Sequence, residues 1–177
     1  LDGRTTAHPV GTRVDALLPE APAAPDGAPI LAALVNNDLV SLSYPITVNS
    51  SVEPLTLQSA HGWRVYRRSL SFLLAKAVRE CFPEAQLTVQ HSFGLGLFCQ
   101  CRVCGNDEDG LTQAHLDRIA EHMRALVERD IPIERRKIAY MDAVEAFDAA
   151  GMPDKAGLLR HRNPPRVVLH WCDGFCD

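Results

Sequence analysis

The 177 residues hold 18 lysines and arginines against 22 acids, a formal net charge of -4. That balance exerts no global pull toward nucleic acid, so any such contact needs a local basic patch. No apolar run approaches the roughly 20 residues of a membrane span, which predicts a soluble, cytoplasmic chain of one domain or two small ones.

Leu1-Asp2-Gly3-Arg4 begins without Met and without an apolar leader core, as expected of a fragment or trimmed start. Arg4–Ala7 reads as extended, and Gly11-Thr12 leads into a short helical turn over Val14–Leu18, stopped by Pro19. Glu20–Pro29 (EAPAAPDGAP) is a proline-punctuated loop. The apolar runs Ile30–Val35 and Leu39–Ser43 flank Asn36-Asn37-Asp38, residues that tolerate the left-handed geometry of a tight hairpin. Ser50–Pro54 turns the chain and Leu55-Thr56-Leu57 closes as a short strand. Short strands around one small helix predict a β-grasp-like module at 1–59, too small to be robust alone. Ser59-Ala60-His61-Gly62 marks the boundary; with no long linker, a fixed arrangement is expected.

The second domain, 60–177, opens on a helix. Leu70, Leu73, Leu74, Ala77, Val78 and Cys81 repeat at three- and four-residue steps and form one apolar stripe. Arg64, Arg68, Lys76 and Arg79 fall elsewhere, which predicts a basic, solvent-facing side. Pro83 ends the helix. Gln86–Gln90 alternates as a half-buried strand, His91–Gly96 reads as a turn with two glycines, and Leu97–Val103 reads as a second strand. Gly105–Gly110 (GNDEDG) is an acidic turn, and Thr112 caps a helix over Gln113–Glu128. Ile131–Ala139 is a charged, edge-like strand; Asp142–Ala149 and Pro153–Leu159 are short helices; Arg166–Trp171 is a final strand. Trp63 and Trp171 read as core or interdomain anchors. The fold class is α+β.

Six cysteines without a secretory leader predict reduced, buried thiols. The alternative is a zinc site drawn from Cys101, Cys104, Cys172 and Cys176, although that last pair lacks knuckle spacing. His91, Ser92, Gly94 and Gly96 are candidates for anion binding, because glycines let backbone amides approach a phosphate; the plain alternative is a hairpin turn. Arg64, Arg67 and Arg68, with Arg160, His161 and Arg162, would form a basic groove for RNA or a nucleotide phosphate if the last strand returns beside the first helix. Otherwise they are solvated faces. His115 and His122 sit at the margin of their helix's apolar stripe and read as spacers rather than ligands. No residue set supplies both a nucleophile or base and an oriented partner, so no catalytic residue is assigned.

Leu1–Thr5, Gly11-Thr12 before a short helix, and Ile30–Leu42 resemble a TGS domain. Arg68–Phe82 ending in Phe82-Pro83-Glu84-Ala85, the strand Gly94–Cys99, Leu111-Thr112-Gln113 opening a helix, and Arg135-Arg136-Lys137 before the helix ending at Phe147 resemble the editing-type domain of bacterial threonyl-tRNA synthetases. The resemblance implies a TGS-like module followed by an editing-like domain. In that family the helix opens with two histidines four apart, and a later Cys-x-x-x-His joins them. Here the helix positions are Arg68 and Phe72, and Cys172 and Cys176 keep only the later spacing.

Tyr66–Leu74, His91-Ser92 and Leu158–Arg162 further resemble the N-terminal half of bacterial kinases of the uridine kinase/phosphoribulokinase type. That resemblance implies an accessory, non-catalytic region that binds nucleotide or RNA, with the chain's own C-terminal kinase domain as partner. No Gly-x-x-x-x-Gly-Lys-Ser/Thr occurs, so ATP and magnesium would belong only to a domain beyond these residues. Two alternatives stand beside it: an aminoacyl-tRNA deacylase using Cys172, Cys176 and His91, and an RNA-binding module.

Overall fold

The computed structural model describes residues 5–18, 27–102, 111–161 and 164–177. The chain divides into two compact units, Leu1–Ser71 and Phe72–Asp177, the division falling inside one long helix. Most of the expected Glu20–Pro29 loop, the GNDEDG turn, Cys104 and Arg162 lie outside the described residues.

In the first unit, strand β1 (Thr12–Arg13) pairs with β4 (Pro45–Ile46), and helix α1 (Val14–Leu17) follows β1 directly. A three-stranded antiparallel sheet sets β2 (Ile30–Val35) between β3 (Asp38–Val40) and β5 (Val52–Thr56). The β2–β3 turn is made by Asn36 and Asn37, with φ of 50° and 69°, the left-handed pair that a two-residue hairpin requires. The Asn36 carboxamide oxygen also accepts from the Ser51 amide at 2.9 Å, tying the turn to the start of β5. Pro54, which has no amide to give, sits on the edge strand β5, where a missing donor is tolerated. Val14, Leu18, Ile30, Ala33 and Val35 form the core.

Helix α2 spans Ala60–Cys81, so it starts directly after Ser59 and carries Arg64 as well as Arg68. Ser59 is the reason. Its Oγ accepts from the Gly62 amide at 2.9 Å, and its carbonyl accepts from the Trp63 amide at 2.9 Å, which opens the first turn.

In the second unit, β6 (Gln86–Phe93) and β7 (Gly96–Arg102) form a hairpin. Its turn is Gly94-Leu95 alone: His91, Ser92 and Phe93 are strand, contrary to the six-residue turn expected from sequence. Helix α3 is Gln113–Glu128, as the Thr112 cap predicts, and His115 completes a capping box by returning Nδ1 to the Thr112 amide at 3.3 Å. Ala77, Val78, Ile119 and Leu126 join the second half of α2 to α3, with Leu87 and Cys101 of the hairpin packed against them.

A second sheet runs β10 (Phe175–Cys176), β9 (Arg166–Cys172), β8 (Glu134–Ala139). Helices α4 (Tyr140–Ala149) and α5 (Pro153–Arg160) cover one face of it through Ala143, Phe147, Ala156, Leu169 and Cys176. Strand β10 follows β9, the strand expected from sequence to be the last. The chain reverses at Asp173 (φ 49°) and Gly174 (φ 78°) and lies back on β9.

The expected basic, solvent-facing side of α2 needs correction at two of its four positions. Arg79 Nη1 donates to the Pro83 carbonyl at 2.6 Å, and Nη2 donates to the Ala150 carbonyl at 2.9 Å, so this side chain closes the helix end and holds the α4–α5 turn. Lys76 is 0% exposed.

Candidate functional site

Phe72, Lys76 and Glu80 succeed one another at four-residue steps along one side of α2. The buried Lys76 ammonium donates to Glu80 Oε1 at 2.6 Å and to the Asp173 carbonyl at 3.3 Å. Glu80 Oε2 meets His122 Nε2 of α3 at 2.7 Å. Asp173 in turn accepts from Arg129 at 2.6 Å, just past the end of α3. The run His122, Glu80, Lys76, Asp173, Arg129 therefore ties α2, α3 and the C-terminal hairpin into one polar seam.

Burial pushes the Glu80 carboxyl up, but hydrogen bonds from Lys76 and His122 and the charges of both outweigh it, leaving it below the ordinary glutamate value. A charge as deeply buried as Lys76 is tolerable only with such partners.

Beside this seam, Phe72 packs with Cys172 and Phe175. Its ring meets Phe175 edge-on at 5.2 Å and His170 at 6.4 Å. Register decides where the two C-terminal thiols point. Phe175 pairs with Cys172 and Cys176 pairs with Trp171, so Cys172 faces Phe72 while Cys176 faces Phe147 and Leu169 on the other side of the sheet. Two side chains on opposite faces of one hairpin cannot share an ion. Burial raises both thiols, with Lys76 only partly opposing it at Cys172 and Lys155 at Cys176, so both are held protonated and weakly nucleophilic. Among the described residues, no three His, Cys, Asp or Glu side chains converge on a point that could hold a metal.

The residues singled out from sequence fall in several places. Arg64 and Arg68 are exposed, one turn apart, on the part of α2 that belongs to the first unit. His91 lies on the exposed β6–β7 hairpin, stacked on its cross-strand partner Phe98 at 5.1 Å. Ser92 and Gly96 are strand residues of the same hairpin, while Gly94, with φ 58°, makes its turn. Nothing lies within 4 Å of a Cβ built on Gly94, so the backbone angle demands glycine there, not a close approach. Arg160 is exposed at the end of α5, a separate element.

Sequence reasoning missed Lys76, Glu80 and His122 as a set. One available signal was a lysine followed by a glutamate at i+4 in line with Phe72. The other was the Asp173-Gly174 pair, a strong two-residue hairpin signal that turns the chain back on the strand before it.

No protein-family model matches the chain. It is similar to the threonine–tRNA ligase of Desulforamulus reducens, 34% identical over 147 residues, 83% of this chain and 22% of the ligase. The similarity to the threonine–tRNA ligase of Methylobacillus flagellatus is 30% over 177 residues, 99% of this chain and 26% of the ligase. That of Azoarcus sp. is 36% identical over 129 residues, 73% of this chain and 20% of the ligase. The homologues of this chain are threonine–tRNA ligases, and it spans about a quarter or less of the length of those it matches.

Proposed function

We propose that this chain is a tRNA-directed region of the editing type, which recognises the aminoacyl-bearing end of tRNA and does not hydrolyse the ester. The observation that carries the tRNA assignment is similarity to threonine–tRNA ligases over 83% to 99% of its length. Support for recognition without turnover comes from the second unit. Phe72 stands where the resembled helix carries a histidine, Cys172 and Cys176 face opposite sides of their hairpin, and burial keeps both thiols protonated. The deacylase built on Cys172, Cys176 and His91 lacks convergence, since His91 stacks on the β6–β7 hairpin instead. A kinase partner, with its ATP and magnesium, takes no support from the relatives, which are ligases.

A second reading, ester hydrolysis, is favoured by one observation. Glu80 holds the His122 imidazole at 2.7 Å, with both side chains 34% exposed, the arrangement of a base and its orienting carboxylate. Competition binding tests the main reading. Intact aminoacyl-tRNA should displace a labelled tRNA at least about tenfold better than an RNA duplex of equal mass, a difference of about 1.4 kcal/mol. Equal displacement by the duplex would contradict recognition of the tRNA end.

A further inference from the structure

Strands β8 and β9 lay a row of cations on the sheet face that α4 and α5 leave uncovered. In the register Arg135 opposes His170, Lys137 opposes Val168 and Ala139 opposes Arg166, so the cations Arg135, Lys137 and Arg166 project from one side together with His170, whose ring meets Phe72. All four are exposed. The intervening residues Arg136, Ile138, Val167, Leu169 and Trp171 project from the other side, where Arg136 lies over the Trp171 ring at 5.2 Å. Glu134, the one acid in these two strands, is on that other side too, bound to Arg136 at 2.6 Å. Arg135, Lys137 and Arg166 make no ion pair with another described residue. Same-face neighbours on one strand, and diagonal neighbours across a strand pair, lie only about 7 Å apart, so this row repels itself. In a chain whose net charge is -4, the mutually repelling Arg135, Lys137 and Arg166 cost stability and have no ion-pair partner among the described residues.

We infer that this face binds the phosphate backbone of RNA. A flat, exposed row of guanidinium and ammonium groups complements successive phosphates, with the arginines able to donate two parallel hydrogen bonds to each. This rests on the tRNA-directed reading and locates the backbone contact for it, separately from the Lys76–Glu80–His122 seam. The face is a surface formed by one sheet, distinct from the groove expected from Arg64, Arg67 and Arg68 with Arg160, His161 and Arg162.

The test compares two double variants of equal charge in the full chain, Arg135→Ala/Lys137→Ala and, as control, Arg102→Ala/Arg124→Ala. Binding to a labelled tRNA and to a labelled single-stranded RNA of about 20 nucleotides is followed across a salt series. The sheet-face pair should weaken tRNA binding at least about tenfold at low salt and lower the slope of log K against log salt by about 1.5. The control pair should change affinity by about twofold or less. Unchanged affinity and slope in the sheet-face pair, or an equal loss in the control, would overturn the inference while leaving the tRNA reading intact. Equal binding of both RNAs by the wild type, lost in the sheet-face pair, would keep the inference and sink the tRNA reading. Binding of neither RNA would sink both. Arg135→Gln/Lys137→Gln repeats the test with the aliphatic stems kept, should Arg135→Ala/Lys137→Ala loosen the strand.

Discussion

Replacing Glu80 with glutamine should destabilise the chain by about 3 kcal/mol, because it leaves the Lys76 ammonium buried beside a neutral amide. Lys76 is 0% exposed, and its other partner is a single carbonyl at 3.3 Å. Lys76→Met should cost less than about 1 kcal/mol, since an apolar chain of similar length fills the same space without a charge to neutralise. In the Lys76→Met background, Glu80→Gln should then cost less than about 1 kcal/mol, and the difference between backgrounds is the coupling that urea unfolding would measure. Equal costs in both backgrounds would show that the seam is not held by this pair.

Acid tests the same pair independently. The Glu80 carboxyl titrates below its ordinary value in the folded chain, despite the opposing effect of burial, because Lys76 and His122 stabilise its charged form. Its contribution is therefore full above the unfolded glutamate value of about 4.3 and fades as pH falls through the lower folded value. Between neutral pH and that window the wild type keeps its advantage over Glu80→Gln; below it the two stability curves converge.

The second large effect is expected at the start of α2. Gly62→Ala should destabilise the first unit by about 3 kcal/mol, even though alanine is the better helix former by about 1 kcal/mol. A Cβ at position 62 would lie 1.9 Å from the Thr56 carbonyl oxygen and 2.7 Å from its carbon. That oxygen cannot move away cheaply, since it accepts both the Ser59 amide at 3.1 Å and the Ser59 hydroxyl at 2.9 Å. Removing the cap instead, by Ser59→Ala, should cost about 1 kcal/mol, because only side-chain hydrogen bonds are lost. Chemical denaturation of the two variants orders them, and a stabilising Gly62→Ala would show that the close approach to Thr56 is relieved.

Local chemistry was the legible part of this fold. Asn36-Asn37 demands left-handed backbone and makes the first hairpin turn; Thr112 offers an acceptor and starts α3 at the expected residue. What failed had its cause in tertiary structure. Lys76 reads as a surface cation in any helical projection, because nothing in the sequence near it shows that the chain returns, 97 residues on, to offer the Asp173 carbonyl. Phe72 and Cys172 meet because β9 presents Cys172 on the side facing α2, while the β9–β10 register sets Phe175 beside them and sends Cys176 to the opposite face. The cationic row on β8 and β9 was hidden for a different reason. Arg135-Arg136-Lys137 looks like one basic run, and only strand alternation removes Arg136 from it while adding Arg166 from the neighbouring strand.

Recognition without turnover is tested most directly by the fate of an aminoacyl ester held by this protein. Aminoacyl-tRNA incubated with saturating chain at neutral pH should show saturable binding, with an ester half-life no shorter than in protein-free buffer. A half-life shortened tenfold or more, restored by His122→Ala with binding intact, would contradict it: the Glu80–His122 pair would then be a working base, a gain of about 1.4 kcal/mol or more in barrier lowering.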